Sequence, residues 1–96
     1  MAILTEEKIK TNLQTLRGWG IVDGQLQKTY SFDGFMKALE FINKLAIIAE
    51  QENHHPDMRV KYNKVTIALF THDEDGITEL DFTIAKEAEK LAVTVL

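Results

Sequence analysis

Residues 59–72 read RVKYNKVTIALFTH, and this stretch decides the fold. Val60 and Tyr62 alternate with Arg59 and Lys61, and Asn63-Lys64 is placed in a tight turn. Beyond it Val65, Ile67 and Leu69 share one face, while Thr66, Ala68, Phe70 and His72 share the other. That period of two belongs to a strand buried on one side. Two such runs joined by a short turn predict a hairpin, and hairpins imply an antiparallel sheet.

On the N-terminal side, Asn53 and Pro56, the single proline, end a helix that reaches about Glu52. Phe35, Leu39, Ile42, Ala46 and Ala49 recur along it at helical spacing, and Ser31 and Asp33 offer caps. Before it, Asp23-Gly24 lies between Ile21-Val22 and Leu26, a strong hairpin signal. The second run of that hairpin extends to about Phe32, with Leu26, Lys28, Tyr30 and Phe32 on one parity. Thr5, followed by Glu6 and Glu7, starts a first helix with a hydroxyl cap and acids near the positive end of the dipole. Ile9, Leu13 and Leu16 form its stripe, and Gly18-Trp19-Gly20 breaks it. On the C-terminal side, residues 72–76 make a polar loop. Thr78 then caps a last helix with Leu80, Ile84, Ala88, Leu91 and Val95 on one side.

The order is α-β-β-α-β-β-α: an α+β, two-layer domain with a four-stranded antiparallel sheet and three helices packed on one face. The other sheet face, or its edge, is a candidate for self-association into a dimer or tetramer. The 96 residues fit one domain spanning 1–96, and 45% apolar with 27% charged residues suits a soluble globule. The absence of cysteine excludes disulfides, thiolate metal sites and a cysteine nucleophile. A net charge of -4 without a basic tract argues against direct nucleic-acid binding. The longest apolar runs, 45–49 and 67–70, are too short to cross a bilayer, so no membrane partner is expected. Residues 1–10 lack the pattern of a signal peptide, and a cytoplasmic location is expected.

The chemistry concentrates in three histidines: His54 and His55, rigidified by Pro56, and His72. A hairpin over 59–71 returns the chain so that His54 or His55 can meet His72. Imidazole titrates near neutral pH and both gives and takes protons, so a cluster suits acid-base chemistry. Glu50, Glu52, Asp57 and Asp81 lie near enough in sequence to orient an imidazole. Glu50 and Glu52 sit at a helix C-terminus, where the dipole disfavours negative charge. Plainer readings stand beside these. A histidine pair in a loop is ordinarily solvated and inert. Asp81, three residues after Thr78, completes a capping arrangement as readily as a site. Tyr62 reads as cross-strand packing, Trp19 as a core or pocket-wall aromatic, and 73–75 as a solvated acidic run without a calcium-loop pattern. Zinc is the rival chemistry, but adjacent residues point apart and no His-x-x-x-His is present.

The segment from Glu50 to Asp81 resembles the pterin-4a-carbinolamine dehydratase family. The pattern is Glu50, three residues, His54-His55-Pro56, five residues, Tyr62, nine residues, His72, eight residues, Asp81. Tyr62-Asn63-Lys64-Val65, Thr71-His72, Gly18-Trp19 and the helix pattern from Phe32 to Ala49 also resemble it. The resemblance implies dehydration of a 4a-hydroxytetrahydropterin to the quinonoid dihydropterin, in support of tetrahydrobiopterin recycling, with no metal and no cofactor. It implies that His54 and His55 supply acid and base, that His72 binds the pterin and assists, and that Asp81 orients the pterin or a histidine. Glu50 and Pro56 would shape the substrate site. Met58 and Leu80 depart from an aromatic and an arginine found in some relatives. The family forms dimers or dimers of dimers, and animal relatives also serve as dimerisation cofactors of a homeodomain transcription factor. A non-enzymatic interaction module is therefore the alternative reading.

Overall fold

In a computed structural model describing residues 2–95, the elements run α1 (Glu6–Leu13), β1 (Gly20–Val22), β2 (Gln25–Ser31), α2 (Phe35–Glu52), β3 (Asp57–Lys61), β4 (Lys64–Leu69) and α3 (Glu79–Val95). Met1, the first residue of the stretch weighed as a leader, and Leu96, the last of the 1–96 span, lie outside the described residues. The strands form one antiparallel sheet in the order β1-β2-β4-β3. The expected α+β architecture and element order are both present.

Alternation along β4 buries Val65, Ile67 and Leu69, joined on the same face by Leu26 and Tyr30 of β2. Against them pack Phe41 and Leu45 of α2 and Phe82 and Ile84 of α3. Each such burial contributes roughly 1.5–3 kcal/mol. Thr5 caps α1 by accepting from the Lys8 N–H, as its position foretold, and Ile9 and Leu13 lean on the core. The β1-β2 turn is Asp23-Gly24, both at positive φ (50° and 76°), the backbone that the tightest hairpin demands. The opposite face of the sheet carries Gln27, Thr29, Thr66 and Ala68, with the Thr29 and Thr66 hydroxyls bonded at 2.8 Å.

Five expectations need correction. The β3-β4 turn is Tyr62-Asn63, with Lys61 opposite Lys64, rather than Asn63-Lys64. The Asn63 side-chain amide donates to the Phe32 carbonyl, and its own carbonyl accepts the Phe32 N–H, which ties Asn63 into the turn. Tyr62 consequently stands at the tip at φ 53°, 69% exposed, and packs across no strand. The buried stripe of α2 is Ala38, Phe41, Leu45 and Ala49. Of the anticipated set only Ala49 belongs to it; Phe35 is exposed and Leu39, Ile42 and Ala46 are half-buried. Apolar residues nearly encircle this helix, and the sheet selects Phe41, whose ring packs 5.0 Å from Tyr30 and 4.9 Å from Phe32. Neither Ser31 nor Asp33 caps α2: Ser31 stays in the ladder opposite Lys64, and Gly34 takes the N-cap at φ 100°. Finally, α1 stops at Leu13, and Leu16 is buried from the turns that follow.

Candidate active site

The end of α2 sets the backbone of His54. Asn53 adopts the left-handed conformation (φ 50°, ψ 42°), its N–H donates to the Glu50 carbonyl, and the His54 N–H donates to the Ala49 carbonyl at 3.0 Å. This double closure is a Schellman motif. Ala49 lies on the buried stripe, so the histidine pair is anchored directly to the core. Pro56 then restricts His55 to extended backbone as β3 begins.

The start of α3 sets the partner of His54. Thr78 Oγ1 accepts the Leu80 N–H at 3.2 Å, and Asp81 Oδ2 accepts the Thr78 N–H at 2.9 Å, a reciprocal cap. Thr71 Oγ1 donates to the same Oδ2 at 2.9 Å. Asp81 Oδ1 lies 2.5 Å from His54 Nε2, and the Asp81 side chain is fully buried. Both readings of Asp81, cap and histidine partner, are thus met by one carboxylate. A carboxylate oxygen accepts, so the proton on this contact is the imidazole's Nε2–H. Among the described residues His54 Nδ1 has no bonded partner, and no fully buried side-chain nitrogen or oxygen lacks one. Nδ1 is therefore reachable by solvent, on an otherwise buried ring.

His55 is exposed, and its Nε2 is in close contact with Glu50 Oε2 from the last turn of α2. That contact offsets the unfavourable placing of a carboxylate at a helix C-terminus. His72 does not end a strand: β4 stops at Leu69, and His72 opens a 3-10 turn over His72–Glu74. Thr71 and Gly76 close this turn by pairing their backbones, and the His72 ring meets Phe70 edge-on at 5.1 Å. Asn53, His54, His55, Phe70, Thr71, His72 and Asp73 line one cleft of about 200 Å³. The three histidines are brought together as the hairpin argument required. Glu52 and Asp57 bond to none of them, and Asp57 lies on the open sheet face beside Thr66 and Ala68. Pro56 is half-buried and is not among the residues that line the cleft. Among the described residues no three His, Asp or Glu side chains converge as metal ligands would.

A second polar centre escaped the sequence reading. Glu89 Oε2 accepts from Trp19 Nε1 at 3.1 Å, from Lys28 Nζ at 2.7 Å and from the Tyr30 hydroxyl in a short contact. Burial first, and then Glu89, push the Tyr30 pKa far above its usual range. Burial also pushes Glu89 upward, but the bonds from Lys28, Tyr30 and Trp19 outweigh it and hold the carboxyl below its usual value. One signal was available: Lys28 shares the parity of Leu26 and Tyr30, and a cation on a core face requires an anion.

Residues 2–91 match the family model described as pterin 4 alpha carbinolamine dehydratase. A protein of Herpetosiphon aurantiacus, provisionally named a pterin-4-alpha-carbinolamine dehydratase, is 47% identical over 91 residues, covering 95% of each chain. A protein of Sulfurisphaera tokodaii with the same provisional name is 43% identical over 95% of this chain and 98% of its own. The crystal structure of a transcriptional coactivator/pterin dehydratase from Brucella melitensis superposes with a TM-score of 0.90 at 37% identity, covering 94% of this chain and 98% of that one. With the family pattern, the fold and most of the length in agreement, the chain belongs to the pterin 4 alpha carbinolamine dehydratase family.

Proposed function

We propose that the chain, folded as one domain over residues 1–96, is a cytoplasmic hydro-lyase that dehydrates a 4a-hydroxytetrahydropterin to the quinonoid dihydropterin. The observation that carries this reading is the cleft lined by His54, His55 and His72, in which two of the three imidazoles are oriented by carboxylates. In the reaction the N5–H bond breaks, an N5–C4a double bond forms, and the C4a hydroxyl leaves as water. The nitrogen lone pair drives the expulsion, so the protein needs only to accept one proton and supply another. His54 suits the accepting role: Asp81 holds Nε2–H and leaves Nδ1 unbonded and solvent-accessible. His55, at the open side and held by Glu50, protonates the departing hydroxyl. His72, backed by Phe70, binds the pterin, and Pro56 holds the histidine pair in its extended path. The product would feed tetrahydrobiopterin recycling.

Self-association belongs to the same proposal. Phe35, Met36 and Ile47 leave apolar surface exposed on α2, with Met36 76% exposed, and a second copy would cover it. Sedimentation should report a dimer or larger species, and Met36→Glu should shift it toward monomer.

That same face, together with the coactivator named in the Brucella structure's description, favours the second reading, a protein-interaction module. The decisive experiment follows water loss from freshly made 4a-hydroxytetrahydropterin by ultraviolet absorbance, with the spontaneous rate subtracted. Acceleration is expected, and His54→Gln, whose amide still donates to Asp81, should abolish most of it. Well-folded protein without acceleration would sink the enzymatic reading and advance the interaction module.

A further inference from the structure

We propose that Thr71, through its hydroxyl, is a positioning residue that locks the His54–Asp81 pair to the turn carrying His72; its catalytic meaning rests on the dehydratase reading above. The hydrogen accounting is complete. A hydroxyl has one proton, and that of Thr71 goes to Asp81 Oδ2. The 2.9 Å contact between Thr71 Oγ1 and Thr78 Oγ1 must then carry the Thr78 proton. Thr78 Oγ1 in turn accepts the Leu80 N–H. A directed chain results, from Thr78 to Thr71 to Asp81, ending on the oxygen opposite the one that holds His54. All three members are buried, which strengthens these bonds.

The backbone of the same residue closes the His72 turn. Its N–H donates to the Gly76 carbonyl at 2.9 Å, and its carbonyl accepts from Gly76 and Glu74. Thr71 thus fixes the first histidine through its side chain, by way of Asp81, and the third through its main chain. Replacing only the hydroxyl separates these functions: the turn should persist while the Asp81 carboxylate gains freedom to rotate away from His54.

Thr71→Val, nearly isosteric, is the direct test, with Thr71→Ser as the conservative rescue. Imidazole 15N signals read the ring protons without any substrate. In the wild type His54 should show its proton on Nε2. In Thr71→Val that signature should weaken while the His72 signals stay in place, and kcat should fall roughly ten-fold with KM within about two-fold, the scale of one lost hydrogen bond to a charged group. Thr71→Ser should restore both. Unchanged His54 signals and an unchanged rate in folded Thr71→Val would overturn the proposal, as would a matching rate loss in Thr71→Ser. Should Thr71→Val fail to fold, Thr71→Cys, with its weak donor and similar volume, carries the same comparison. An inactive wild type would defeat the dehydratase reading alone, and the 15N signals would still decide the role of Thr71.

Discussion

Two carboxylates on α3, about two helical turns apart, serve opposite ends. Asp81 is fully buried, and one oxygen is committed to the His54 imidazole. Glu89 is only partly buried, and its bonded oxygen is met by the Lys28 ammonium, the Trp19 indole and the Tyr30 phenol, whose pKa burial pushes far above its usual range. On the dehydratase reading proposed above, the first is a carboxylate arranged for proton chemistry. The second is a clamp joining the Trp19 loop, β2 and α3, with Lys28 also bonded to the Arg17 carbonyl. A polar network is thus informative about function through what its partners can do, rather than through its size.

The comparison breaks most sharply at Asp81. Asp81→Ala should abolish most activity and cost about 3 kcal/mol in urea unfolding, because the Thr78 N–H, the Thr71 hydroxyl and His54 all lose a buried acceptor. Retained activity would refute the contrast. Glu89→Gln should cost less, roughly 1–2 kcal/mol, and leave the dehydration rate within about two-fold. It should also change the acid limb of stability. Glu89 is held below its ordinary 4.5, so its contribution is complete above about that pH and fades as pH falls through the lowered value. The variant should lack that slope in thermal unfolding followed from pH 6 to 3. Tyr30→Phe sharpens the other limb. The hydroxyl stays neutral in the fold while an unfolded tyrosine ionises near pH 10, so wild-type stability should decline above about pH 10 and the variant's should not. At neutral pH the loss should be about 1 kcal/mol. His55→Ala should be the gentlest on stability, within about 0.5 kcal/mol, since its pair with Glu50 lies in solvent, yet it should remove most activity.

The hairpins were legible because strand alternation is local, although the second turn lies one residue earlier than its sequence suggested. Val65, Ile67 and Leu69 declared their burial, and Asp23-Gly24 declared its turn. The facing of α2 was not, since Phe35, Leu39 and Ile42 look as apolar as Phe41 and Leu45, and the rings of Tyr30 and Phe32 decide between them. At the site, Thr78 and Asp81 stood at capping distance and the histidine cluster followed from one hairpin. The sharing of Asp81 between cap and imidazole depended on a contact across 27 residues. Glu89 needed three partners 59 to 70 positions away, beyond the reach of any local pattern.

His55 and His72 contribute nothing to the core that holds the sheet to its helices. In evolutionary terms, two of the three residues to which the proposed chemistry is assigned are free to drift without unfolding the protein. On the proposed reading, the buried His54–Asp81 pair, with Thr71 behind it, is what ties reaction to architecture. A lineage that no longer needed the reaction would be expected to lose the exposed imidazoles first and keep the buried pair longest, leaving a fossil of the site inside a scaffold free for other work.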